Sequence, residues 1–255
     1  MACDPNGHSL PKCVCAEEVY SHPQHDEREF TFAAFSDPES VARYAEGPAR
    51  KVPGFHDLQK MTSILLAERV KDGAHVLVLG AGGGLELKVF AEMQAGWRFC
   101  GVDPSAEMLD LARRTLGPIA SRVDLYEGYI DTAPVGPFDA ATCLLTLHFL
   151  AEDERRRTLA EVHRRLKPGA PLVVAHHSFP QEGGEKAKWL ARYVAFSVAS
   201  GAPPANAESM VTAMSERLPA LSPEQDAKLL RDAGFVDVAQ FYMGFTFRGW
   251  VAYKA

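Results

Sequence analysis

Three glycines at alternate positions, Gly80, Gly82 and Gly84, follow the apolar run His75-Val-Leu-Val-Leu79. An aspartate, Asp103, lies twenty-three residues beyond the first of them. A short Val/Leu run of this kind reads as a buried parallel strand. The glycines turn the chain where a side chain has no room, and Leu85–Gln94 resumes with helical spacing. Asp103 ends the next apolar run, Arg98-Phe-Cys-Gly-Val102. There a carboxylate can accept from both hydroxyls of a ribose. A glycine turn with a spaced acid is therefore a candidate site for a nucleoside cofactor. The dinucleotide fingerprint requires a small residue three places after the second glycine, and here that place is Leu85. No Gly-Lys-Ser/Thr follows, which excludes a phosphate loop.

A second group with chemical potential comes later. His148 follows one apolar run, Phe138–Leu144, and His176 and His177 end another, Pro171–Ala175. Histidine exchanges protons near neutral pH, so these three are candidate substrate-side or catalytic residues. Adjacent strand residues face opposite ways, so at most one of His176 and His177 is expected to face a pocket. Tyr44 and an aromatic stripe, Trp189, Tyr193 and Phe196, are candidates to wall a substrate, the alternative for the stripe being helix packing or a dimer contact. Arg248 and Trp250 fall on the last strand. Cys100 and Cys143 read as small buried apolar residues.

The elements that position these residues alternate regularly. Strands are expected at 76–79, 99–102, 123–126, 138–144 and 171–175, with helices at 85–94, 105–116 and 152–166 between them. Such alternation gives right-handed crossovers and a parallel sheet. Ser105 is an expected N-cap, and Ser222-Pro-Glu-Gln225 opens a helix running to Ala233. The last strands, 235–241 and 245–253, are joined tightly around Gly244 and should pair antiparallel. The fold class is thus α/β, a doubly wound seven-stranded sheet of five parallel strands plus a C-terminal antiparallel hairpin. Residues 1–35 read as a flexible arm and 36–255 as one domain. That domain carries an N-terminal helical lid (36–70) and a helical insertion (about 178–220).

Composition narrows the function. With 255 residues and 47% hydrophobic content the chain can bury a full core. A formal charge of −6 without a basic block disfavours nucleic acid as a partner. No apolar run reaches the ~20 residues that span a bilayer, and no signal-peptide core opens the chain. Five cysteines suit a reducing cytoplasm. Cys3, Cys13 and Cys15 with His8, His22 and His25 match no closed zinc spacing, so no metal is expected. The expectation is a cytoplasmic protein, monomer or homodimer, without a membrane partner.

Taken in order, these segments resemble the class I S-adenosylmethionine-dependent methyltransferases from about Ser36 to the C-terminus. Val76–Gly84 resembles the cofactor loop and Gly101-Val-Asp-Pro-Ser105 the acidic end of the second strand. Phe138-Asp-Ala-Ala-Thr-Cys143 through His148 resembles the fourth strand and its tip, and Leu166-Lys-Pro-Gly-Ala170 the approach to the fifth. The resemblance implies S-adenosyl-L-methionine as cofactor and methyl transfer to a small-molecule substrate. It implies cofactor contacts at Phe55, Gly80, Ala81, Gly82, Gly84, Asp103, Pro104, Tyr129, Ile130 and Leu144.

Val52-Pro-Gly-Phe55 and the segment Phe245–Ala255 are similar to carboxy-S-adenosylmethionine synthases of tRNA modification. Those enzymes clamp the extra carboxylate with an arginine, where this chain has Val198. A valine cannot make that bidentate pair, so the ordinary cofactor is expected. Three further departures stand out. Val78 replaces the family's acid before the first glycine, Tyr129 replaces an adenine-contacting Asp, and Phe55 lacks a tyrosine hydroxyl. Glu86 and the loop carbonyls are the candidate substitutes for the missing acid. The same departures would also fit a non-catalytic cofactor-binding or interaction module on this fold.

Overall fold

The computed structural model describes residues 47–255. The expected arm, Tyr44 and the first part of the lid lie outside these residues. The described elements begin with two helices, α1 (Gly47–Lys51) and α2 (Phe55–Ala67). The alternating core follows as β1 (His75–Leu79), α3 (Leu85–Met93), β2 (Arg98–Asp103), α4 (Ala106–Leu116), β3 (Val123–Glu127), β4 (Ala140–Leu144), α5 (Glu152–Arg165) and β5 (Pro171–His177). Three helices come next, α6 (Gly183–Ala199), α7 (Ala207–Arg217) and α8 (Pro223–Asp232). The hairpin β6 (Phe235–Gly244) and β7 (Phe247–Lys254) closes the sheet.

The sheet has seven strands in the order β3-β2-β1-β4-β5-β7-β6. β1 to β5 pair in parallel, and β7 runs antiparallel to both β5 and β6. The chain reverses its direction of travel across the sheet between β1 and β4. That switch point opens a crevice at the carboxyl ends of the strands.

Alternation along the strands builds two cores. Val76, Val78, Phe99, Val173 and Ala175 pack on one face with Leu58 and Leu66 of α2 and Tyr193 of α6. Leu77, Leu79, Cys100, Val102, Leu172 and Val174 pack on the other with Leu159 and Val162 of α5 and Leu229 and Leu230 of α8. The caps are local and follow from sequence. The Ser105 hydroxyl accepts from the Met108 N–H at 3.1 Å. Ser222 and Gln225 form a reciprocal capping box at α8.

Two departures from the sequence expectation have clear causes. The hairpin turns at Phe245-Thr246 rather than around Gly244, with Phe245 itself at φ 51°. A side chain at Gly244 would meet the Tyr242 hydroxyl, which donates to the Pro53 carbonyl at 2.6 Å and pins the turn before α2. The fourth strand begins at Ala140 because Phe138 forms only an isolated bridge to Leu166.

A buried charge cluster braces the second face. Arg155 of α5, fully buried, pairs with buried Asp226 of α8 and donates to the Pro219 carbonyl at 2.9 Å. The His176 Nε2 lies 3.2 Å from the same Asp226 carboxylate. Removing one member leaves an uncompensated buried charge, whereas exposed pairs such as Arg157–Asp131 are screened by water. Arg155→Ala is therefore expected to cost about 3–5 kcal/mol in urea denaturation. Arg157→Ala should cost less than about 1 kcal/mol.

Candidate functional site

The glycine loop leaves β1 and folds back onto the end of β2. The N–H groups of Gly80 and Ala81 donate to the Val102 carbonyl at 2.8 and 3.0 Å. The Gly82 N–H donates to Asp103 Oδ2 at 2.8 Å, and the Ser105 N–H donates to Asp103 Oδ1 at 3.0 Å. Asp103 thus fixes the loop and the start of α4 at once. Burial pushes its carboxyl upward, against the pull of the Ser105 and Gly82 N–H groups. Each oxygen keeps acceptor capacity beyond its one backbone bond.

Glycine is obligatory at two loop positions. Gly80 has φ 78°, and a Cβ there would sit 2.0 Å from the Thr146 Oγ1. Gly84 has φ 79°, and a Cβ there would sit 2.9 Å from the Ala112 Cα. The first approach brings the tip of β4 onto the loop, and the second seats α4 against the start of α3.

Glu86, in the first turn of α3, is buried beside this loop. Its Oε1 accepts from the Thr142 hydroxyl of β4 at 3.4 Å. Thr142 pairs with Val78 in the sheet register. Strand β1 therefore offers only an aliphatic side chain, and the acid at this level comes from α3. Burial, with a smaller push from Asp103 and against the Thr142 hydrogen bond, raises Glu86 from 4.5 to about 8.

The remaining expected cofactor residues border the same crevice in sequence and topology. Pro104 follows Asp103, Tyr129 is exposed and Ile130 buried in the short turn after β3, and Leu144 is the buried last residue of β4. Phe55 is buried at the start of α2 within the first core, its ring edge-on to His56. Its missing hydroxyl has been traded for packing.

The histidines separate as strand alternation requires. His176 faces the second core with Asp226 and Trp250. His177 faces the first, stacked on Phe247 at 3.8 Å between ring centres, with Tyr193 edge-on at 5.2 Å. His148, in the short helical turn after β4, comes within 4.9 Å of the His177 ring. Its Nδ1 accepts from the His177 backbone N–H at 3.4 Å. The His177 Nδ1 lies 3.0 Å from the Thr246 hydroxyl.

Burial, then neighbouring His177, His176 and Arg155, lowers His148 well below its ordinary value. Burial, then His176 and Lys51, lowers His177 to about 3. Both rings are therefore neutral at physiological pH. The structure brings together His148, His177 and Tyr193. It sends His176 to the opposite face, and Trp189 lies between the Arg192 and Arg248 guanidinium groups.

A cavity of about 330 Å³ opens where α1 meets the insertion, lined in part by Arg50, Lys51, Ser209 and Met210. Sequence reasoning missed the Glu86–Thr142 contact in its particulars. It also missed Thr146, which no local pattern marks.

A doubly wound sheet in this strand order, with a glycine loop locked to an acid at the end of β2, is the class I methyltransferase fold. Residues 76–169 match the family model described as a methyltransferase domain. Over that stretch the chain is similar to methyltransferase domains.

Among curated proteins, the chain is similar to the carboxy-S-adenosyl-L-methionine synthase of Chromohalobacter salexigens. They are 27% identical over 242 residues, covering 93% of this chain and 88% of that protein. Among solved structures it is similar to magnesium protoporphyrin IX methyltransferase from Synechocystis with bound SAH. There the TM-score is 0.64 at 16% identity, covering 90% of this chain and all of that one. A putative O-methyltransferase from Nostoc punctiforme gives a TM-score of 0.58 at 18% identity, with 78% of this chain matched. The chain spans only 56% of that longer protein.

The residues fit the cofactor. Asp103 retains acceptor capacity that suits a ribose diol, and buried Glu86, with one weak hydrogen bond among the described residues, suits a cationic group. The raised Glu86 has a consequence for the protein without ligand. Between about pH 4.5 and 8 the folded state keeps a proton that the unfolded state releases, so stability falls as pH rises through this window. Glu86→Gln should lack this contribution, so its melting temperature should gain on the wild type as pH increases from 5 to 8. A constant difference across that range would contradict the buried, neutral acid.

Proposed function

We propose that this chain transfers the methyl group of S-adenosyl-L-methionine to a small-molecule nucleophile received at the tips of β4 and β5. The observation that carries this reading is the Gly82–Asp103–Ser105 junction, which presents a carboxylate at the crevice of a methyltransferase domain. In this reading Asp103 holds the ribose hydroxyls and Gly80, Ala81, Gly82 and Gly84 pass close under the methionine half. Pro104, Tyr129 and Ile130 border the base, while Leu144 and Phe55 close the apolar side. When bound, the cofactor supplies an activated methyl group on a positively charged sulfur.

The protein's own task is then alignment rather than activation. An in-line displacement needs sulfur, methyl and nucleophile held on one axis, and buried, rigid elements do this best. His148 and His177 are neutral, so each can hydrogen-bond an acceptor's O–H or N–H. Their lowered basicity suits positioning of the nucleophile better than removal of its proton before attack. Tyr193 packs edge-on to His177 and limits that wall. Trp189, one turn before Tyr193 on α6, and Tyr44 complete the proposed substrate contacts. His176, paired with Asp226, holds the end of β5 in place.

A second reading is favoured by the curated relatives, which share most of the chain's length and carry the name carboxy-S-adenosyl-L-methionine synthase. Such a chemistry calls for a cation facing an added carboxylate. In this chain the matching position, Val198, packs partly buried against the first core, which supports the ordinary cofactor. A non-catalytic role on the same fold is separated from both by turnover.

The test is a thermal-shift titration with S-adenosylmethionine and its demethylated product. Both should raise the melting temperature, and Asp103→Ala, which also loses the acceptor of the Gly82 and Ser105 N–H groups and so starts from a lower melting temperature, should abolish the rise. With an acceptor in hand, His148→Ala and His177→Ala should each lower kcat by about 10- to 100-fold, as loss of a positioning hydrogen bond does. At saturating cofactor, kcat should show no ionisation near pH 6.5, because neither ring titrates there. Tight, selective binding of a carboxymethylated cofactor would overturn the first reading in favour of the second.

A further inference from the structure

We propose that Glu86, buried at the start of α3 against Thr142 of β4, is the counter-ion for the ammonium group of the cofactor's methionine half. This inference rests on the S-adenosylmethionine reading above and specifies how its cationic end is held.

Asp103 at the end of β2 fixes where a ribose would lie, so the rest of the ligand extends across the glycine loop toward β4. Glu86 emerges there, one residue into α3, and reaches the Thr142 hydroxyl of β4. It is 9% exposed, and no Lys or Arg forms an ion pair with it among the described residues. Among the described residues it makes one hydrogen bond, at 3.4 Å, which leaves most of the carboxyl's bonding capacity unused.

A buried carboxyl in such surroundings is costly to ionise unless a cation arrives. The titratable groups acting on it supply none. Asp103 on β2 repels its charged form, and Cys143 on β4 is a buried thiol that burial pushes up. The N-terminal end of α3 favours a negative charge, yet desolvation dominates and raises Glu86 to about 8. An ammonium placed against it would reverse that balance. Val78, facing the same level of the sheet, can do nothing similar. The proton balance is simple, because Glu86–COOH becomes the carboxylate, its proton passes to solvent and no covalent bond of the ligand changes.

Two ligands distinguish this from a general packing role. S-adenosylhomocysteine carries the ammonium, whereas 5′-methylthioadenosine keeps the nucleoside and lacks it. Isothermal titration in buffers of different ionisation enthalpy should show close to one proton released per S-adenosylhomocysteine bound near pH 7, and none for methylthioadenosine. Affinity for S-adenosylhomocysteine should rise by up to about tenfold per pH unit between pH 6 and 7.5, with methylthioadenosine flat.

Glu86→Gln should abolish the proton release and weaken S-adenosylhomocysteine at pH 8 by about 10- to 100-fold, leaving methylthioadenosine within about twofold. Unchanged proton release in the variant, or an equal loss for both ligands, would overturn the role given to Glu86. If neither ligand binds the wild-type protein, the nucleoside reading itself fails. If methylthioadenosine binds and S-adenosylhomocysteine gains nothing from its ammonium, only the Glu86 inference falls.

Discussion

The junction of Asp103 with the N–H groups of Gly82 and Ser105 is the contact on which the rest of the site depends. It joins the loop after β1 to the end of β2 and the cap of α4, so that three backbone segments share one carboxylate. The loop can approach that closely only because Gly80 and Gly84 carry no side chain. Thr146 occupies the space beside the first and Ala112 the space beside the second. Because Thr146 follows β4, the junction also registers the cofactor side of the crevice against the substrate side. Burial pushes Asp103 and Glu86 upward and holds His148 and His177 neutral.

The two faces of β5 do different work. His176 enters a charge cluster with Asp226 and Arg155 that ties α5 to α8 behind the sheet. His177, one residue on, lies among Phe247, Tyr193 and His148 in front of it. A buried Arg155–Asp226 ion pair on one side braces the strand end whose other side, in the proposed function, is offered to substrate. Preorganisation of that kind is what an in-line transfer asks of a protein that has no bond of its own to make.

Much of this was legible in the amino-acid sequence because it is local. The glycine spacing, Asp103, the Ser105 cap and the Ser222–Gln225 box are all set within a few residues, and the parallel sheet follows from regular alternation. The separation of His176 from His177 needed only the two-residue period of a strand. What was not legible depends on neighbours distant in sequence. Glu86 meets Thr142 only because β4 lies next to β1. Arg155 meets Asp226 across 71 residues, and Tyr242 reaches Pro53 across 189. The hairpin turn falls on Phe245-Thr246, and Gly244 stays in β6 beside the Tyr242 hydroxyl, where a side chain would not fit. Val78 looked like a loss in the sequence; the fold shows an acid supplied to the same level from α3.

Amide hydrogen exchange with and without saturating S-adenosylhomocysteine tests the central claim most directly. Ligand should slow exchange in residues 80–86 and 103–105 together, because one ligand bridges the loop and the Asp103 junction, and should leave β6 and β7 unchanged. Protection absent from these two segments, or concentrated instead where α1 meets the insertion, would contradict the account.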